Sequence, residues 1–230
     1  MPEREPNYSE LKDFKENPYD GFFIAIEGLD GSGVTGQAKN IDENLKLSGI
    51  KTLLTKEPTD QFIGGFLRSV LRGNLVFSQE AIQMLFAADR AWHINSDIAP
   101  VLKNNGVVVT DRYFWSSFAF GLLTHDQDFL FTINKIFPLP DCTIFLDVPP
   151  KVCIERIASD RFHFELFDDE ERFEKVYQNY QWLGRNFSQY IKTVDGTQPT
   201  RQVTTDIMKI IKQHPKFLPP IMGIEDSLKK

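Results

Sequence analysis

The chain has 230 residues, of which 41% are hydrophobic and 25% charged, and its net charge is −6. This composition is typical of a soluble globular protein that can bury a sizeable core, and the negative charge argues against a general nucleic-acid binder, which needs a basic face. No apolar run approaches the ~20 residues that span a membrane, and the polar first segment does not resemble a secretion signal, so we expect a cytoplasmic protein.

Short β-rich runs alternate with helical patterns along the chain. The predicted strands are Phe22–Glu27, Thr52–Thr55, Val107–Thr110, Thr143–Asp147 and Tyr190–Val194. The predicted helices are Thr35–Ser48, Ile63–Leu71, Ser78–Lys103, Lys151–Ala158, Asp168–Ser188 and Arg201–Gln213. Three of the strands are almost continuously apolar, as strands covered on both faces are. The alternation predicts an α/β fold, with a five-stranded parallel sheet and helices on both faces.

The segments at the two ends differ from the middle of the chain. Residues 1–20 are polar and contain three prolines, which favours a leader outside the core. From residue 214 onward, several prolines prevent a helix, so 214–230 is interpreted as a tail. Between them, residues 21–213 contain no repeat or linker and are predicted to form one domain. Cys142 and Cys153 lack metal-ligand spacing and are expected to be buried free thiols.

A glycine-rich loop follows the first predicted strand and precedes a helical pattern. Its candidate phosphate contacts are Gly28, Leu29, Asp30, Gly31, Ser32, Gly33, Val34, Thr35 and Gly36. Glycines let main-chain N–H groups converge on an anion at a helix N-terminus, and the threonine is placed to bind Mg²⁺. The alternative is a strand-to-helix turn without a ligand. The order of strand, loop and helix favours a three-layer P-loop NTPase fold.

Val34 stands where a phosphate-binding loop normally has lysine. That lysine spans the β- and γ-phosphates of the donor and neutralises charge that moves during transfer. By analogy with other single charge-stabilising donors, its loss would lower the rate by ~10²–10³ unless another cation substitutes. Binding should suffer less, because the main-chain amides remain.

Further segments downstream of the loop carry a family resemblance. They are Lys56-Glu57-Pro58-Thr59, Phe66-Leu67-Arg68, Leu85-Phe86-Ala87-Ala88-Asp89-Arg90-Ala91-Trp92-His93, Asp111-Arg112-Tyr113 and Ser116-Ser117. In this order they resemble the thymidylate (dTMP) kinase family over about residues 21–210. The resemblance implies ATP-dependent phosphorylation of dTMP to dTDP, with ATP as donor, Mg²⁺ as cofactor and a homodimeric assembly.

Asp111 and the arginine after it are expected to face the phosphates. Asp111 ends an apolar strand, where a carboxylate can hold Mg²⁺ through its water shell; the alternative is a turn or helix-capping aspartate. The resemblance implies that Arg112 and Arg68 hold the acceptor monophosphate, and the alternative for either is a surface arginine. The implied acceptor-binding set is Lys56, Glu57, Arg68, Phe86, Arg90, Arg112, Ser116, Ser117 and Phe120.

Phe86 and Arg90 are four residues apart and therefore share one helix face. The resemblance implies that the ring stacks on the pyrimidine and that the arginine donates to a base carbonyl. Alternatively, Phe86 is a core residue and Arg90 pairs with a nearby acid. The resemblance also places Asp30 near the sugar and phosphate of the acceptor, with a turn-stabilising aspartate as the alternative.

Several acceptor-side positions depart from the family pattern. Lys56 replaces an arginine and loses its bidentate fork. Ser116 and Ser117 match positions that line the acceptor pocket, but they are equally suited to cap a helix. Phe120 and Gly121 stand where bacterial relatives commonly carry Tyr and Gln. An aromatic ring at 120 can press against the sugar, whereas Gly121 cannot donate to the base.

The segment Lys151–Phe167 resembles the mobile lid of the family, at about residues 156–167. Arg156 and Arg161 are candidates for partly replacing the missing lysine, since lid arginines can supply charge to the transition state. The alternative is that both are solvated helix residues. Together with Asp30 and Arg112 they form the predicted catalytic set.

Two other functions remain open at this point. Val34, and Gly36 where relatives carry threonine, favour a nucleotide-binding pseudokinase that acts as a sensor or partner protein. Gly121 favours a kinase for another acceptor, such as dUMP or a deoxynucleoside. The reaction needs no covalent nucleophile, because the phosphate oxygen of the acceptor attacks the γ-phosphorus directly.

Overall fold

A computed structural model describes residues 14–160 and 170–217 of the chain. The strands within these ranges are β1 (Phe22–Gly28), β2 (Thr52–Lys56), β3 (Val107–Asp111), β4 (Cys142–Asp147) and β5 (Ile191–Asp195). They form one sheet in the order β2-β3-β1-β4-β5, and each neighbouring pair is parallel. The predicted fold class, an α/β fold with a five-stranded parallel sheet, is confirmed.

Helices cover both faces of this sheet. They are α1 (Val34–Leu47), α2 (Phe62–Leu71), α3 (Gln79–His93), α4 (Ala99–Lys103), α5 (Phe114–Gly121), α6 (Gln127–Asn134), α7 (Pro150–Asp160), α8 (Glu170–Asn186) and α9 (Thr200–Gln213). The single helix predicted over Ser78–Lys103 is instead α3 and α4 joined by a π-helical turn, Ile94–Ile98. The sequence also did not predict α5 and α6 as helices. Helix α5 is apolar almost all round, so no 3.6-residue alternation marks it.

Alternate side chains of the central strand enter two separate cores. Phe22, Ile24 and Ile26 pack beneath α1 and α9, whereas Phe23 and Ala25 pack on the opposite face, beneath α5 and α8. This follows from the two-residue repeat of a strand. The sheet is therefore covered on both faces, and its carboxyl edge is where loops can form a site.

Both ends of the described chain contribute to these cores. Phe14 is buried, with its ring centroid 4.8 Å from that of Phe131. Phe217 is also buried, 5.2 Å from Phe22. Residues at both ends of the described part of the chain therefore pack into the folded core.

Two further expectations concern cysteines and membranes. Cys142 and Cys153 are both buried free thiols, as the sequence predicted. Within the described ranges, no helix combines the length and apolarity needed to cross a membrane.

Candidate active site

The glycine-rich loop joins the carboxyl end of β1 to the start of α1. Gly31 and Gly33 have φ angles of 79° and 101°, in the left-handed region that other residues rarely adopt. A Cβ atom on Gly31 would lie 2.5 Å from the carbonyl oxygen of Cys153. Glycine is therefore required at this position, and the loop has the tight backbone that close approach to a phosphate needs.

A hydroxyl and a carboxylate meet beside this loop. Thr35, in the first turn of α1, donates from Oγ1 to Asp111 Oδ2 over 2.5 Å. Asp111 ends β3, the strand next to β1 in the sheet. A hydroxyl, a carboxylate and water suit Mg²⁺. The part of the chain that the structure describes contains no group of three or more His, Cys, Asp or Glu that could hold a metal ion.

Val34 belongs to the core and not to the surface of the loop. Its side chain is 4% exposed and packs in the apolar cluster that contains Ile26 and Ala38. One of its methyl carbons lies 3.3 Å from the position that a Cβ on Gly28 would take. The side chain thus fills space beneath the loop and contributes no charge to it.

Arg112 reaches across to the phosphate loop. Its Nη1 donates to the Gly28 carbonyl over 2.7 Å and to Ser116 Oγ over 3.2 Å, and its Nη2 lies 2.6 Å from Asp30 Oδ1. The guanidinium also lies 5.7 Å from the ring centroid of Phe120. The structure therefore brings together three predicted site residues, Asp30, Arg112 and Phe120, at the mouth of the loop.

A buried carboxylate lies beneath this arginine. Glu27, in β1, accepts hydrogen bonds from the main-chain N–H groups of Tyr113 (2.9 Å) and Ser116 (3.3 Å) at the start of α5. It also accepts from Ser116 Oγ (2.6 Å) and from the Tyr180 hydroxyl (3.0 Å). The sequence pattern indicated for Glu27 only a place at the end of a strand. The sequence signal that could have indicated a buried role for Glu27 is a charged residue in an otherwise apolar run.

We expect Glu27 to make the stability of the protein depend on pH. Burial raises the pKa of Glu27 from 4.5 to about 7, and its hydrogen bonds and Arg112 oppose that shift. Between these values the folded chain binds a proton that the unfolded chain releases, so stability should fall as pH rises from 4.5 to 7, by about 3 kcal/mol. Urea unfolding at several pH values measures this fall. Glu27→Gln should flatten it, and equal slopes in both proteins would contradict the assignment.

Arg90 is buried in a polar cluster between α3, α5 and α6. It is 1% exposed, and its Nε and Nη2 lie 2.8 Å from Glu57 Oε2. Its Nη2 also donates to Ser117 Oγ over 3.1 Å, and its Nη1 donates to Asn134 Oδ1. Arg90 therefore makes the ion pair that the sequence left open as an alternative. Asn134, at the end of a helix that the sequence did not predict, was missed.

The serines of α5 do not cap their helix. The N-cap residue of α5 is Tyr113, which makes no side-chain capping bond. Ser116 instead bonds to Glu27, and Ser117 bonds to Arg90. Phe86 is half-buried, on the same face of α3 as Arg90. Arg90 of α3 and Ser117 of α5 meet between these two helices, at a place called the α3–α5 gap below.

Lys56 and Arg68 share one carboxylate. Lys56 Nζ lies 2.9 Å from Asp60 Oδ2, and Arg68 Nη2 lies 3.1 Å from Asp60 Oδ1. Arg68 Nη1 also donates to the carbonyl oxygens of Pro58 (2.9 Å) and Thr59 (2.5 Å). The two cations therefore meet near the turn after β2, and an anion bound there would compete with Asp60.

Arg156 contacts the phosphate loop at carbonyl groups other than the one that Arg112 contacts. Its Nη1 donates to the carbonyl oxygens of Ser32 (3.3 Å) and Gly31 (3.5 Å), and its Nη2 donates to that of Gly196 (3.2 Å). It thus connects the phosphate loop to the loop after β5. Arg161 lies outside the described residues.

The fold and these contacts define a class of protein. A parallel sheet with a glycine loop between β1 and α1, and a Thr35–Asp111 pair beside it, is the framework of a P-loop nucleotide kinase.

Comparison with known proteins identifies the family within this class. Residues 26–207 match the family model described as Thymidylate kinase. The chain is 39% identical over 202 residues to the "Probable thymidylate kinase" of Pyrococcus horikoshii, covering 84% of this chain and 96% of that protein. A protein of the same description from Thermococcus gammatolerans is 34% identical over 205 residues, covering 84% and 97%. The chain belongs to the thymidylate kinase family, as its motifs predicted.

Proposed function

We propose that this protein transfers the γ-phosphoryl group of ATP to dTMP, giving dTDP and ADP. The observation that carries the proposal is the placement of two groups of residues at one edge of the sheet. The phosphate loop with Thr35 and Asp111 suits the donor phosphates. The α3–α5 gap with Phe86 and Arg90 suits a pyrimidine, and Arg112 extends between the two.

In this proposal the protein acts by positioning and by charge. An oxygen of the dTMP phosphate attacks the γ-phosphorus, and the bond from that phosphorus to the bridging oxygen of ADP breaks. Main-chain N–H groups of the loop bind the donor phosphates, while Thr35 and Asp111 would hold Mg²⁺, which supplies charge neutralisation. Arg112, which contacts Asp30 in this structure, exchanges that contact for the acceptor phosphate whose oxygen attacks.

The charge of the missing lysine must then come from elsewhere. Arg112 is 2.7 Å from the carbonyl of Gly28 and Arg156 is 3.3 Å from that of Ser32, so the two cations flank the loop. We include both in the proposed catalytic set with Asp30, and Arg161 stays part of it as a proposal from the sequence.

Arg156→Ala is expected to lower kcat roughly 10²-fold, because a cation beside the transferring phosphate is lost. Arg156→Lys is the matched control and should keep most of the rate, since it retains the charge. Steady-state kinetics with ATP and dTMP measures both variants. A wild-type kcat in Arg156→Ala would remove this residue from the catalytic set.

The proposed reaction is tested directly by incubating purified protein with Mg-ATP and dTMP and separating the nucleotides by chromatography. Formation of dTDP in proportion to enzyme is expected. No dTDP at any enzyme concentration would refute the proposal, and dTMP binding in a calorimeter would then favour a pseudokinase. A parallel assay with dUMP tests the alternative acceptor.

We also propose a cytoplasmic homodimer. The free thiols Cys142 and Cys153 fit a reducing compartment. Exposed apolar side chains on α3 (Met84 and Trp92), together with Leu71 at the end of α2, offer a surface for a second copy. The phenylalanines of the stretch 114–137 are mostly buried within the chain and are therefore not part of this surface. Sedimentation equilibrium measures the mass and should give that of two chains.

A further inference from the structure

One buried carboxamide in the α3–α5 gap lacks a partner. Gln83 is 5% exposed, and among residues 14–160 and 170–217 its Oε1 accepts no hydrogen bond. A buried amide oxygen without a partner destabilises the folded state. Such groups are rare in folded proteins, and they can mark a site where a ligand supplies the missing hydrogen bond.

The position of Gln83 places it beside the proposed base-binding residues. On α3, Gln83 is three residues before Phe86 and seven before Arg90, so the three share one helix face. On the facing helix α5, Ser117 and Gly121 are likewise four residues apart. Arg90 meets Ser117 at 3.1 Å, and Gln83 lies opposite Gly121.

The glycine at 121 makes the room that the Gln83 amide occupies. A Cβ atom on Gly121 would lie 3.2 Å from Gln83 Nε2 and 2.6 Å from a methyl carbon of Leu130. A side chain at 121 would therefore compete with the Gln83 carboxamide and with Leu130 for the same space. The α3–α5 gap therefore contains a carboxamide, and helix α3 contributes it.

Arg90 can donate to a base carbonyl, but its guanidinium has no acceptor for a ring N–H. Its guanidinium is held by Glu57, Ser117 and Asn134, which fixes its orientation and occupies most of its N–H groups. A pyrimidine with an imide edge presents an N–H donor next to a carbonyl acceptor. A carboxamide presents an acceptor next to a donor, and it can therefore pair with that edge through two hydrogen bonds.

We propose that Gln83 recognises the imide edge of the acceptor pyrimidine, an assignment that rests on the proposed function. The ring N–H of the base donates to Oε1, and Nε2 donates to the adjacent carbonyl. Rotation about the last side-chain torsion, which has broad minima, turns the amide toward the base. Binding of the nucleotide then satisfies the oxygen that is unpartnered in the free protein.

Gln83→Met tests the proposal, because methionine has a similar length and no amide. Calorimetry should show a Kd for dTMP at least about tenfold higher, as expected for the loss of hydrogen bonds to a buried ligand group. The Kd for an ATP analogue should stay unchanged. The Tm of the free variant should equal or exceed that of wild type, because an unpartnered buried amide is removed.

A second ligand tests the same contact without a mutation. The 3-methyl derivative of dTMP lacks the imide N–H and should bind wild type at least about tenfold more weakly than dTMP does. It should lose little further affinity with Gln83→Met.

Equal binding of dTMP by wild type and Gln83→Met, or equal binding of dTMP and its 3-methyl derivative by wild type, would overturn the assignment of Gln83. If wild type binds no dTMP at all, the proposed function fails and this inference fails with it. The two failures are therefore distinguishable.

Discussion

Val34→Lys is expected to raise kcat for dTDP formation by roughly 10²–10³, because it restores a cation that stabilises the transferring phosphate. The rest of the loop is in place, since Gly31 and Gly33 have the required left-handed conformations and Thr35 is bonded to Asp111. Val34 is buried, so the aliphatic stem of lysine would lie among the same apolar neighbours while its ammonium extends toward the phosphates.

The matched control is Val34→Met, which has a comparable stem and no charge. It should leave kcat near the wild-type value, so that a gain seen only with lysine is assigned to the charge. Steady-state kinetics at saturating ATP and dTMP measures all three proteins. An unchanged or lower rate in Val34→Lys would mean that the site functions with valine at position 34, and that Arg112 and Arg156 supply the charge.

Arg90→Met is expected to lower the free energy of unfolding by about 3–5 kcal/mol, because it leaves a buried carboxylate without its main partner. Glu57 is 6% exposed and bonds to Arg90 through Oε2. Its other oxygen lies 3.1 Å from His93 Nδ1. Urea denaturation of the free protein measures the loss without reference to activity.

Two further variants distinguish the stability loss caused by breaking the Glu57–Arg90 ion pair from a general effect of removing an arginine. Arg72→Met removes an exposed arginine at the end of α2 and should change stability by no more than about 0.5 kcal/mol. Glu57→Gln combined with Arg90→Met should be more stable than Arg90→Met alone, because the unpaired charge is gone. A loss below about 1 kcal/mol in Arg90→Met would contradict the role of the buried pair.

The sequence predicted the sheet better than the helices around the acceptor gap. The strand bounds agree with the structure to within about one residue, because apolar runs such as Phe22–Glu27 mark strands buried on both faces. Helix α5 contains Phe114, Trp115 and Phe118, which are all buried, so it lacks a polar face that would show its period. Helix α6 was missed with it, and Asn134 as well.

The sequence by itself determined the family, the order of strands and helices, and the presence of a glycine-rich loop with valine where the phosphate-loop pattern has lysine. These depend on local spacing and composition, which a linear chain displays directly. It also indicated which residues gather at the carboxyl edge of the sheet, since parallel strands end there together.

Only the tertiary structure decided what each of these side chains contacts. Glu57 pairs with Arg90, Lys56 and Arg68 share Asp60, and Glu27 caps α5. Gln83 of α3 lies next to Gly121 of α5. Such contacts join residues far apart in the chain, and their partners depend on how whole helices pack, which local propensity does not encode.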